Sequence, residues 1–134
     1  MVKFFDMQLA NKNIDLKGVL NDVSKSFEFS LGDFVSTFEH SFSSYLGSEY
    51  CVGVANGTDG LELAMLSVGI TEKDKILTVS NAGFYTSAAA NTIGASVSYV
   101  DVNDKDLLID LDMLQNFIEQ NSDINALVVT HFFG

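Results

Sequence analysis

From Gly47 onward, short apolar runs alternate with stretches of helical periodicity, and a polar turn separates each from the next. The runs at 50–54, 76–79, 96–100 and 126–129 have the length of strands rather than helices. Between them, three stretches space their apolar residues at intervals of three and four. These are Leu61 to Val68, a small-residue segment through Ala88, Ala89, Ala90 and Ile93, and a segment opening at Asp110 or Asp112 that runs through Leu114 and Ile118. A helix between two strands carries the chain back to the end from which it started, so the strands pair in parallel. The predicted class is therefore α/β, with helices on both faces of a parallel sheet. Four strands, the last against Gly134, barely meet the need to cover such a sheet, so the chain reads as the first portion of a larger domain.

Residues 1–47 read differently, as helices without strands. Ile14, Leu16, Val19, Leu20 and Val23 predict one helix from Ile14 to Phe27. After Gly32, the residues Phe34, Val35, Phe38, Phe42, Tyr45 and Leu46 predict a second, stopped by Gly47. Its aromatic stripe has the spacing of core packing. The predicted organisation is thus an N-terminal helical part, 1–47, and alternating strand and helix units over 48–134.

Composition narrows the function. In 134 residues, 47% are hydrophobic, enough for a real core. Eighteen acidic residues face seven basic ones, all of them lysine, for a net charge of −11. Nucleic acid and anionic membrane surfaces both require phosphate charge to be neutralised, so neither is an expected partner. No apolar run reaches the length of a membrane span, and residues 1–10 lack the pattern of a signal peptide, which makes the cytoplasm the default expectation. Cys51 has no cysteine to pair with and reads as a small apolar residue of a buried strand.

Two turns are candidates for chemistry. Asn56, Gly57, Thr58, Asp59 and Gly60 lie between an apolar run and a helix, where free backbone N–H groups can receive a phosphate. The same residue types also serve as simple helix caps, and residue identity alone leaves both readings open. Ser80 to Thr86 follows the next strand, at the end where open parallel sheets bind ligands. There Phe84 and Tyr85 either stack on a flat ligand or pack beneath the following helix. His40 and His131 have no partner of recognisable geometry. Asp101, Asp104, Asp106, Asp110 and Asp112 lack the spacing of a calcium loop and read as solvated turn and helix cap, so no metal is expected.

Three stretches together resemble the DegT/DnrJ/EryC1/StrS family of sugar aminotransferases. They are LGDFVSTFEHSFSSYLGSEYCVGVANGTDGLELAMLSVGI, KDKILTVSNAGFYTSAAANTIGASVSYVDVN and LLIDLDMLQNFIEQNSDINALVVTHFFG. Gly32, Phe38, Glu39, Tyr45, Gly47 and the turn from Asn56 to Asp59 fall where that family has its characteristic residues. The resemblance implies the three-layer α/β/α fold of the aspartate aminotransferase type (fold type I), represented here by the first part of its large cofactor-binding domain. It implies that Gly57 and Thr58 hold the phosphate of pyridoxal phosphate, with Asp59 opening the same helix. It implies an aromatic on the pyridine ring, supplied by Phe84 or Tyr85, because Gly83 stands where many members carry the stacking residue. The implied reaction moves an amino group, from a donor such as glutamate, to a keto sugar attached to a nucleotide, in a homodimer, for amino-sugar and polysaccharide synthesis.

The family's Schiff-base lysine, and the aspartate that keeps the pyridine nitrogen protonated, correspond to positions past Gly134. None of Lys3, Lys12, Lys17, Lys25, Lys73, Lys75 and Lys105 stands in a matching motif. The chain by itself is therefore expected to bind the cofactor weakly or not at all and to lack transaminase activity. Two other readings are a non-enzymatic half that pairs with another chain and an unrelated doubly wound nucleotide or flavin binder.

Overall fold

Asp6 opens the first helix of the computed structural model, which describes residues 5–132: its carboxylate accepts the N–H groups of Gln8 and Leu9 and starts α1 (Met7–Ala10). This short turn of helix carries too few residues to show periodicity in the sequence. Asp15 caps α2 (Leu16–Ser26) through the N–H of Gly18, at 3.0 Å. The next helix, α3 (Asp33–Leu46), closes at Gly47, which takes φ of +70°. There the N–H of Ser48 returns to the Ser43 carbonyl, so the last turn is satisfied by the backbone itself.

The chain divides into two compact units, Met1–Gly53 and Val54–Gly134. In the first, the aromatic stripe of α3 is not a buried core. Phe34, Phe38, Phe42 and Tyr45 are all exposed, Tyr45 by 83%, and Ser43 is the buried residue of the helix. The aromatics cover one another instead, Phe38 stacking on Phe42 at 5.5 Å between ring centroids. Helical spacing identified the apolar side correctly, but spacing carries no information on what packs against it. The expected strand at 50–54 is also absent. The segment is irregular, Val52 is exposed and Cys51 only half-buried, so the cysteine is not part of a buried strand. The N–H of Gly53 is taken by the Glu39 carboxylate at 2.6 Å rather than by a neighbouring strand.

The second unit runs α4 (Gly57–Ser67), β1 (Lys75–Val79), α5 (Tyr85–Ile93), β2 (Ser96–Val100), α6 (Leu111–Gln120) and β3 (Ala126–Leu127). Among the described residues the sheet has three strands, not four, in the order β2-β1-β3, and both pairings are parallel. Ile76 is opposite Val97 on one side and Ala126 on the other. The ladder of β3 ends earlier than its apolar run, yet Val128 still donates to the Leu77 carbonyl and accepts from the Thr78 hydroxyl.

Alternation along β1 builds the layers. Ile76 points into a cluster with Met65, Ile70, Ala89, Ala90 and Ala95, which seats α4 and α5 on one face. Leu77 and Val79 point the other way, to Val100 and Ile109, with Leu114, Phe117 and Ile124 packed around them, which seats α6 on the other. The result is helix, sheet, helix. Ala89 and Ala90 are fully buried because only side chains this small let α5 lie close to the strands.

The direction of the helices follows from their ends. Gly94, at the end of α5, is so close to the segment after α4 that a Cβ there would stand 3.1 Å from Glu72 Cβ. Ser96 N–H donates to the Asp74 carbonyl nearby. The C-terminal ends of α4 and α5 therefore meet at the start of β1, and their N-termini both stand at its carboxyl end.

Candidate functional site

Asn56 determines how α4 begins. Its side-chain oxygen accepts the N–H of Thr58 at 2.9 Å and of Asp59 at 3.0 Å, and its Nδ2 donates to Asp59 Oδ2 at 3.0 Å. The helix consequently starts at Gly57, four residues before the predicted Leu61, and most of the predicted turn is its first coil. An N-cap asparagine three residues before an aspartate was the sequence signal for this start.

The same geometry leaves an open edge. A Cβ on Gly57 would meet nothing within 4 Å, so a ligand can approach the backbone there. Thr58 is half-buried, and its hydroxyl makes no hydrogen bond to another described residue. Gly57 and Thr58 thus present an accessible N-terminus of an eleven-residue helix, with a hydroxyl beside it, at the carboxyl end of a parallel sheet. These residues fit a phosphate group. Asp59 contributes differently: as an acid it does not grip an anion, but it anchors the Asn56 amide that shapes the turn.

Phe84 and Tyr85 open α5 at the same end of the sheet. Both are exposed, by 70% and 62%, so the alternative that they pack beneath the following helix is overturned. Phe84 takes the left-handed conformation, φ of +67°, directly after Gly83 at +65°. Such backbone is strained for an aromatic residue. Phe84 lines a groove with Ser87, Ala88, Asn91 and Tyr99, in which Ser87 and Tyr99 share a hydrogen bond of 2.7 Å. The Ser87–Tyr99 pair was not legible in the sequence, because twelve residues separate its members.

Two of the other candidates, Asp110 and Asp106, have structural roles. Asp110 caps α6 through the N–H of Met113. Asp106 accepts the N–H of Leu108 and the amide of Asn103, which hold its carboxyl below the usual aspartate value. Asp74 is likewise lowered, by the hydroxyl and then the N–H of Thr71, and Asp123 is lowered by its hydrogen bond from Lys75. Among the described residues no group of three or more His, Cys, Asp or Glu side chains is arranged to hold a metal, and no helix is long and apolar enough to cross a membrane.

Comparison with known proteins gives this geometry its relatives. The chain is 34% identical over 128 residues to the dTDP-3-amino-3,4,6-trideoxy-alpha-D-glucose transaminase of Micromonospora megalomicea subsp. nigra, a match covering 96% of this chain and 34% of that protein. It is 31% identical over 138 residues to the dTDP-3-amino-3,6-dideoxy-alpha-D-galactopyranose transaminase of Aneurinibacillus thermoaerophilus, covering all of this chain and 37% of that protein. The chain therefore spans about a third of the length of the relatives it matches. Among solved structures, ntda from Bacillus subtilis with bound cofactor PMP superposes with a TM-score of 0.85 at 24% identity, over 99% of this chain and 31% of that one. A DegT DnrJ EryC1 StrS aminotransferase from Brucella abortus gives 0.82 at 23%, over 95% and 36%. These superpositions establish the fold as that of the family's aminotransferases. The model of the DegT/DnrJ/EryC1/StrS aminotransferase family matches residues 12–134, nearly the whole chain, and the chain belongs to that family.

Proposed function

We propose that this chain is the phosphate-gripping portion of a pyridoxal-phosphate-dependent nucleotide-sugar aminotransferase, one that transfers an amino group, from a donor such as glutamate, to a nucleotide-linked keto sugar. The observation that carries this reading is the open edge at Gly57 and Thr58, at the head of α4 and at the carboxyl end of β1. The transaminase names of its relatives supply the reaction class.

When bound, pyridoxal phosphate supplies the electron sink that amino-group transfer needs. The work of this chain is to position it. The Gly57 backbone and the Thr58 hydroxyl face the phosphate, and the helix N-terminus favours its charge. Asn56, held by Asp59, fixes the turn from which they act. An aromatic side chain from the start of α5 covers the ring. No lysine of this chain stands in the motif of the Schiff-base lysine, so the portion described here binds and orients without carrying the covalent chemistry. We further propose that the complete protein acts as a homodimer.

Borohydride reduction in the presence of pyridoxal phosphate, followed by peptide mapping, tests this division of labour. The expected result is scattered, low-level labelling across exposed lysines. Stoichiometric labelling of one lysine of this chain would overturn it.

A further inference from the structure

The two aromatics at the head of α5 are not equivalent, and the structure separates them. Gly83 lacks a side chain, and a Cβ built there would stand 2.6 Å from Cε2 and 3.1 Å from Cδ2 of Tyr85. The Tyr85 ring therefore lies across the position that a side chain at 83 would fill. Helical spacing then assigns each ring a direction. Tyr85 is one turn ahead of Ala89, on the face that packs with Leu61 and Met65 of α4. Thr58 is one turn ahead of Leu61 on that same seam. Thr58 and Tyr85 thus each stand at the N-terminal head of a helix, on the stripe that continues into the α4–α5 seam. Phe84 belongs to another stripe, with Ser87, Ala88 and Asn91, and lines the groove beside β2.

We infer that Tyr85, and not Phe84, is the aromatic that lies on the cofactor's pyridine ring, its side chain folded back over Gly83 into the place that residue 83 leaves empty. This rests on reading Gly57 and Thr58 as the phosphate grip, since the ring must lie within one cofactor length of that grip. It also accounts for glycine at 83: any side chain there, placed on a left-handed backbone, would displace the Tyr85 ring.

The test uses the full chain and pyridoxamine 5′-phosphate, which does not condense with surface lysines. Affinities are read from amide spectra titrated to millimolar concentration, for the wild type and for Tyr85→Leu, Tyr85→Phe and Phe84→Leu. Inorganic phosphate is titrated in parallel. Tyr85→Leu is expected to weaken pyridoxamine phosphate about five- to tenfold while changing inorganic phosphate less than about twofold. Tyr85→Phe keeps the aromatic face and stays close to wild type, as does Phe84→Leu. A larger loss from Phe84→Leu, an equal loss from both leucine variants, or a loss in Tyr85→Phe matching that in Tyr85→Leu would overturn the assignment while leaving the phosphate grip standing. A wild type whose Gly57, Thr58 and Asp59 amides do not respond to either probe would overturn the proposed function and this assignment with it.

Discussion

At the scale of single residues, the chain relies on short polar turns in which a side chain satisfies backbone N–H groups that regular structure leaves free. Asn56 does this at α4, Asp15 at α2 and Asp110 at α6. Asp74 does it before β1, taking both the hydroxyl and the N–H of Thr71 at 2.7 Å. Because those bonds favour the charged form, its folded pKa is depressed. A depressed carboxylate stabilises the fold above its unfolded pKa of about 4 and loses that contribution as the pH falls through the lower folded value. The stability difference between wild type and Asp74→Asn, from urea unfolding, is therefore expected to be constant above about pH 4.5 and to shrink below about pH 4. A difference that widens on acidification would contradict this. Caps of this kind were legible in the sequence where Asp or Asn preceded an apolar period, as at Asp110. The placement of Phe84 was not, because a positive φ in an aromatic residue is imposed by its neighbours rather than by its own preference.

At the scale of elements, the unit from α4 through β1 to α5 carries the proposed site, and its geometry depends on small residues. Ala89 and Ala90 are 0% exposed between α5 and the strand. Ala89→Leu should force the seam apart and cost about 1–3 kcal/mol, whereas Ala64→Leu on the exposed side of α4 should stay within about 0.5 kcal/mol. Urea midpoints measure both, and equal effects would show that the seam is not close-packed. The alternation of strand and helix was readable because β1 is buried on both faces and its run from Ile76 to Val79 is apolar but for Thr78. The reading failed at 50–54, where the residue types were right but no partner strand is present among the described residues. A strand is defined by pairing, which a single run of sequence does not contain. The start of α4 was placed late for a related reason. Gly57 and Gly60 suggested a turn, yet the Asn56 cap outweighs the weak helix propensity of glycine.

At the scale of the whole molecule, the chain is about a third of the length of its transaminase relatives, and many of its large apolar side chains are exposed. Phe34, Phe38, Tyr45 and Val52 stand exposed in the first unit, where the sequence pattern called for core. The family and the fold were legible because motif order and spacing run along nearly the whole chain. The proposed site was legible only as a pair of turns, since the shared direction of α4 and α5 that brings them to one end of the sheet depends on contacts such as Gly94 with Glu72. The central claim is that Gly57 and Thr58 form the phosphate grip of a pyridoxal cofactor. The most direct test is the amide spectrum of the wild type and of Thr58→Val, titrated with pyridoxamine 5′-phosphate. The result expected is saturable change centred on Gly57, Thr58 and Asp59 in the wild type, weakened about fivefold or more in Thr58→Val. Changes elsewhere with those three amides unmoved, or an unaltered response in Thr58→Val, would contradict it.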